Sequence, residues 1–134
     1  MKKLISSLFA ICFLMTIGFT QNQKTTTEFD SSFAHTVYFW LKNPNNTDDR
    51  AKFETSLEKF LKNSKYAKTN FIGIPPVAKR DVVDGSFTYS LIVTFESAEA
   101  QESYQSEKAH LTFIKECKDL WEKVIVYDSQ GLQK

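Results

Sequence analysis

Cysteine and histidine are the scarce residues here, with two of each among 134 residues. One cysteine, Cys12, lies in an apolar N-terminal run, so removal of that run leaves Cys117 alone. A lone cysteine excludes an intrachain disulfide even in an oxidising compartment, and it excludes a structural zinc site built on several thiolates. An excess of either charge is also missing: 17 Lys and Arg stand against 16 Asp and Glu, for a net charge of +1. The two signs are interspersed, which gives neither a basic stripe for a nucleic-acid backbone nor an acidic tail for a cationic partner. The carboxylates fall on solvated positions without a close pair in apolar surroundings, which argues against a two-carboxylate hydrolase. What remains is the composition of an ordinary globular chain of one-domain length.

The first twenty residues differ from the rest. Lys2 and Lys3 precede an almost wholly apolar stretch from Leu4 to Phe19, and Gly18 and Thr20 supply small residues for cleavage. Residues 1–20 therefore read as a secretory signal peptide and predict export, to a periplasm or to the medium. The run is shorter than the roughly 20 apolar residues of a membrane span and is interrupted by Ser6 and Ser7, so no membrane association is expected once the leader is gone. Residues 21–32 are polar and aperiodic, a linker into a domain over 33–129, with 130–134 as a C-terminal tail.

Within the domain, Phe33 to Leu41 is β-branched or aromatic, with Val37, Phe39 and Leu41 on one face and Tyr38 and Trp40 on the other. Asn43-Pro44-Asn45-Asn46 ends this strand. Thr47, Asp48 and Asp49 supply a capping oxygen and negative charge for a helix whose apolar stripe is Phe53, Leu57, Phe60 and Leu61. Phe71 to Ile74 reads as a second strand stopped by Pro75-Pro76, and Asp84-Gly85 turns into a third from about Phe87 to Glu96, with Tyr89, Leu91, Val93 and Phe95 on one face. Ser97 caps a short helix, a second helical piece covers about Ala109 to Leu120, and Val124 to Tyr127 closes the order.

The order β-α-β-β-α-β is that of the ferredoxin-like plait, an α+β fold with helices on one face of a four-stranded antiparallel sheet. Strands apolar on both sides leave the other face a large greasy patch, so a homodimer through that open face, a dimeric α/β barrel, is expected.

Chemistry must come from few side chains. His110 precedes Phe113, Ile114 and Cys117 at helical spacing and so lies on an apolar stripe, where an imidazole serves either as a proton carrier or as a hydrogen-bonded core residue. His35 shares its strand face with Val37 and Phe39 and carries the same two readings. Tyr104 offers a phenolic donor, or simply packs at a helix end. Cys117 reads as a small core hydrophobe, and Lys79-Arg80 as a solvated loop pair. Asn45-Asn46-Thr47 matches a glycosylation sequon, a pattern frequent by chance. No metal site and no cofactor are read from these residues.

His35 opening the first strand, Val93-Thr94-Phe95-Glu96-Ser97, Tyr104 with Ala109-His110, and Trp121-Glu122-Lys123 before a strand ending at Asp128 together resemble the stress-responsive dimeric α/β barrel (Dabb) family. The resemblance implies the plait and its dimer. Through a family member, the plant olivetolic acid cyclase, it also implies cofactor-free aldol chemistry in which His110 abstracts a proton, Tyr104 holds the carbonyl oxygen and His35 lines the pocket. Family members commonly carry proline two residues before the later histidine, where this chain has Lys108. The expected function is binding of a small apolar carbonyl compound with cyclase- or lyase-like acid–base chemistry. The competing class is a non-catalytic stress-related binding or assembly protein, and a third is a haem-handling or oxygen-using enzyme of the broader barrel group.

Overall fold

A computed structural model describes residue 29 and residues 32–132. The expected leader, most of the linker and the last two residues lie outside the described residues. Seven elements follow one another: β1 (Phe33–Leu41), α1 (Thr47–Asn63), β2 (Thr69–Gly73), β3 (Tyr89–Phe95), α2 (Ala98–Ser106), α3 (Lys108–Cys117) and β4 (Trp121–Gln130). The strands form one sheet in the order β2-β3-β1-β4, with every neighbouring pair antiparallel. This is the expected ferredoxin-like plait.

Alternation in β1 is strict: every second residue from Phe33 to Leu41 is buried, because a strand turns successive side chains to opposite faces. Val37, Phe39, Leu91, Val93 and Phe95 make the covered face, closed by Phe53, Leu57, Phe60, Phe113 and Cys117 from the helices. The start of α1 differs from expectation by one residue. Asn46 is the cap, its side-chain oxygen accepting from the amides of Asp48 at 3.0 Å and Asp49 at 2.9 Å, while Thr47 is already helical. Ser97 caps α2 as expected, accepting from the Ala100 amide at 3.2 Å. The two expected helical pieces are separated at Glu107, which takes an extended backbone (φ −68°, ψ 148°), and α3 begins at Lys108 without the proline that often opens a helix.

β4 is longer than its apolar centre suggested, because pairing with β1 runs from Phe33 opposite Gln130 to Leu41 opposite Trp121. On the uncovered face Tyr38, Trp40, Phe71, Phe87, Ile125 and Tyr127 surround a depression of about 700 Å³. Phe71 and Tyr127 are more than half exposed there. Among the described residues no helix is long and apolar enough to cross a membrane.

Candidate active site

The helix-covered side of the sheet holds a cavity of about 330 Å³ between α2–α3 and the β1–β4 edge. Its walls include Val37, Phe39, Phe113, Ile114, Val124 and Val126, and its polar lining includes His35, Tyr104, Gln105, His110 and Asp128. All three residues singled out in the sequence therefore meet in one place. The Tyr104 ring lies 5.0 Å from that of His110 and 5.8 Å from that of His35, centre to centre.

Each side chain is held by a different element. His35 sits on the central strand β1, and its register partner on β4 is Asp128. Its Nδ1–H donates to Asp128 Oδ1 over 2.6 Å, the short length expected of a charge-assisted bond. Tyr104 is at the end of α2 and almost fully buried. Burial, reinforced by the charge of Glu107, pushes its phenol well above the ordinary range, so it remains a proton-bearing donor.

His110 is in the first turn of α3, where the break at Glu107 turns it toward Tyr104. Its Nδ1 lies 2.9 Å from the carbonyl oxygen of Gln105. A carbonyl only accepts, so Nδ1 carries the hydrogen and the neutral ring keeps its lone pair on Nε2. Burial is the largest influence on this imidazole and lowers its proton affinity from the ordinary 6.5, with His35 acting in the same direction; the Gln105 bond and Glu107 oppose it. The fixed tautomer and the depressed basicity give a histidine that rests neutral with one nitrogen available to accept a proton.

That depression has a consequence for stability. Between the folded value and 6.5 the unfolded chain binds more protons at this site, so the histidine's contribution to stability is complete above 6.5 and declines as pH falls through the folded value. Urea midpoints measured from about pH 8 to 5 are expected to lose part of their slope in His110→Gln. An unaltered slope would assign the pH dependence to other groups.

Two members of the site were not singled out from sequence, Asp128 as the partner of His35 and the Gln105 carbonyl as the anchor of His110. The first was detectable: Asp128 alternates in phase with Val124 and Val126, and antiparallel pairing of the outer strands brings it opposite His35. The second is a backbone group and has no residue-type signal. Cys117 is fully buried, and its thiol is pushed up by that burial, in keeping with a core role. Lys79 and Arg80 are exposed in the connection between β2 and β3.

A ferredoxin-like α+β plait with a histidine–tyrosine pocket beneath its helices is thus the class that fold and site define. The chain belongs to the Dabb family: the model of the stress responsive A/B barrel domain matches residues 33–130. That span ends one residue beyond the expected domain limit. Among solved structures it is similar to a Dabb family protein with a ferredoxin-like fold from Mesorhizobium loti, at 18% identity and a TM-score of 0.64, covering 78% of this chain and 100% of that one. It is similar to the hydroxynitrile lyase of Passiflora edulis at 20% identity and a TM-score of 0.64, covering 78% and 98%. A dimeric ferredoxin-like protein of unknown function from Thermobifida fusca matches at 13% identity and a TM-score of 0.60, covering 77% and 94%. No curated protein matches the chain in sequence.

Proposed function

We propose that this is an exported Dabb domain that binds a small, largely apolar carbonyl compound in the His35–Tyr104–His110 cavity and moves a proton on it without a cofactor. The observation that carries the reading is the bond from His110 Nδ1 to the Gln105 carbonyl, which leaves Nε2 to act as the base. In this scheme Nε2 takes a proton from the atom beside the carbonyl group, and the electrons left behind move onto the carbonyl oxygen. The Tyr104 hydroxyl donates a hydrogen bond to that oxygen as its negative charge grows. The His110 imidazolium then returns the proton to the product. His35, held by Asp128, forms the polar part of the wall, and the aliphatic and aromatic side chains around it accept the apolar body of the ligand.

Support for pairing comes from the uncovered aromatic face and from the dimeric description of the Thermobifida fusca neighbour. Export rests on the charged start and apolar run of residues 1–20. The test of the chemistry is a panel of aldehydes, ketones and hydroxynitriles, the last included because one neighbour is a hydroxynitrile lyase. On any compound turned over, His110→Gln is expected to lower kcat by about 10²–10⁴-fold. Equal turnover by the variant would remove the catalytic role, and ligand binding without turnover in the wild type would leave a non-catalytic binding protein.

A further inference from the structure

A second cavity, of about 700 Å³, lies between α1 and the α2–α3 junction, and the proposed proton transfer makes no use of it. It shares Phe60 and Phe113 with the His35–Tyr104–His110 cavity, and these two stacked rings, 5.4 Å apart, form a wall common to both. Most of the remaining lining is polar or charged, unlike the apolar walls of the inner cavity.

The charged groups are Lys59, Lys65 and Lys108 against Glu107 and Glu116. Glu116 is engaged: Oε2 accepts from the Ser56 hydroxyl at 2.5 Å, and Oε1 lies 3.7 Å from the Lys59 ammonium. Glu107 is turned to the main chain, where Oε2 accepts from the Lys65 amide at 3.0 Å, and its Oε1 is buried without a hydrogen-bond partner among the described residues. Neither carboxylate therefore neutralises Lys65 or Lys108, whose exposed ammonium groups form no ion pair among the described residues. Two cations without counterions beside one cavity raise the local concentration of anions. A phosphate monoester, with close to two negative charges at neutral pH, matches them in charge, and lysine meets phosphate as a point charge without a fixed geometry.

The neutral groups are committed in one sense. The Ser103 hydroxyl donates to the Glu99 carbonyl at 3.0 Å, the Ser106 hydroxyl to the Ser103 carbonyl at 3.1 Å, and Asn63 Nδ2 to the Lys59 carbonyl at 2.6 Å. A serine hydroxyl has one hydrogen and two lone pairs, so Ser103 and Ser106 are left as acceptors, and Asn63 keeps its side-chain carbonyl oxygen. A wall rich in acceptors suits a ligand that brings O–H donors.

We propose that this cavity is a second ligand site, for a small hydroxylated phosphate monoester of the sugar-phosphate kind. The phosphate lies at Lys65 and Lys108, and hydroxyl groups of the ligand donate to Ser103, Ser106 and Asn63. The site is independent of the carbonyl chemistry, so the failure of either reading leaves the other in place.

The experiment is an NMR titration of the backbone amides of the full chain with glycerol, ribose and glucose, each phosphorylated at its terminal hydroxyl, and with inorganic phosphate and unmodified glucose beside them. At least one sugar or polyol phosphate is expected to shift the amides around Asn63–Tyr66 and Ser103–Thr112 at millimolar concentration and to leave those of His35 and Asp128 in place. Unmodified glucose is expected to shift none, and inorganic phosphate to bind more weakly. Lys65→Met combined with Lys108→Met is expected to weaken binding roughly tenfold, the effect of two partly screened charge contacts. Lys79→Met, which removes the same charge from the β2–β3 connection, is expected to leave it unaltered. Silence toward all three phosphate esters overturns the proposal. So does equal affinity for inorganic phosphate, which would mark a bare cationic patch, and so does undiminished binding by the double lysine variant.

Discussion

Replacing Phe53 with alanine is expected to lower folding stability by about 3–5 kcal/mol, the usual cost of deleting a buried phenylalanine ring. Phe53 has no exposed surface and is the point where helix α1 locks onto the sheet. Its ring stacks on Tyr89 at 4.8 Å and meets Phe39 at 5.0 Å, Phe113 at 5.8 Å and Trp121 at 6.4 Å. These neighbours come from β1, β3, α3 and β4, so no single element can shift to fill the vacated volume. Each aromatic contact adds about 0.5–1.5 kcal/mol beyond area burial, which places the loss toward the upper end of the range. Set against total stabilities of about 5–15 kcal/mol, that change brings the domain close to unfolding. Urea denaturation at one fixed protein concentration measures it, since association would otherwise add its own stabilisation. The contrasting variant is Phe71→Ala, whose ring is 58% exposed on the other side of the sheet. A loss below about 1 kcal/mol for Phe53→Ala would mean that α1 is not anchored through this ring.

The fold was legible in the sequence because its signals are local. Alternation in β1 and β3, the apolar stripe of α1, the Ser97 cap and the Pro75-Pro76 stop each depend on neighbouring residues alone. Their order leaves few topologies. The misplacements are also local in origin: Asn46 and Thr47 are both competent caps, and only the backbone decides between them. Two helical pieces were expected here, but the exact place of the break, Glu107, had no glycine or proline to mark it in Gln105-Ser106-Glu107-Lys108. That break matters because it sets where His110 points.

The site was half legible. His35, Tyr104 and His110 could be singled out as polar groups among apolar ones, and the three converge as the resemblance implied. What fixes them was less visible. The His35–Asp128 bond joins residues 93 positions apart, and reading it requires knowing that β1 and β4 are neighbours, and in which register. The tautomer of His110 depends on a main-chain carbonyl, which side-chain chemistry does not reveal. Sequence thus indicated which groups could act, while what orients them came from long-range pairing and from one backbone bond.

Substituting Tyr38 by aspartate is expected to convert the proposed dimer into monomers at micromolar concentration. Tyr38 lies on the open face of the central strand, edge-on to Phe87 at 4.9 Å and to Tyr127 at 6.3 Å. In a two-fold pairing each substitution enters the interface twice. Burying a carboxylate without a partner costs about 3 kcal/mol or more per copy, so roughly 6 kcal/mol is lost per dimer. At 1.4 kcal/mol per tenfold, the dissociation constant rises on the order of 10⁴-fold. Tyr38→Phe keeps the edge-on ring contacts and is expected to stay paired. Sedimentation velocity distinguishes the forms, and an NMR titration of the His110 ring provides an internal control because the cavity lies on the opposite face of the sheet. Should Tyr38→Asp sediment as the wild-type dimer does, the subunits join elsewhere, and the aromatic face that made pairing necessary would need another cover.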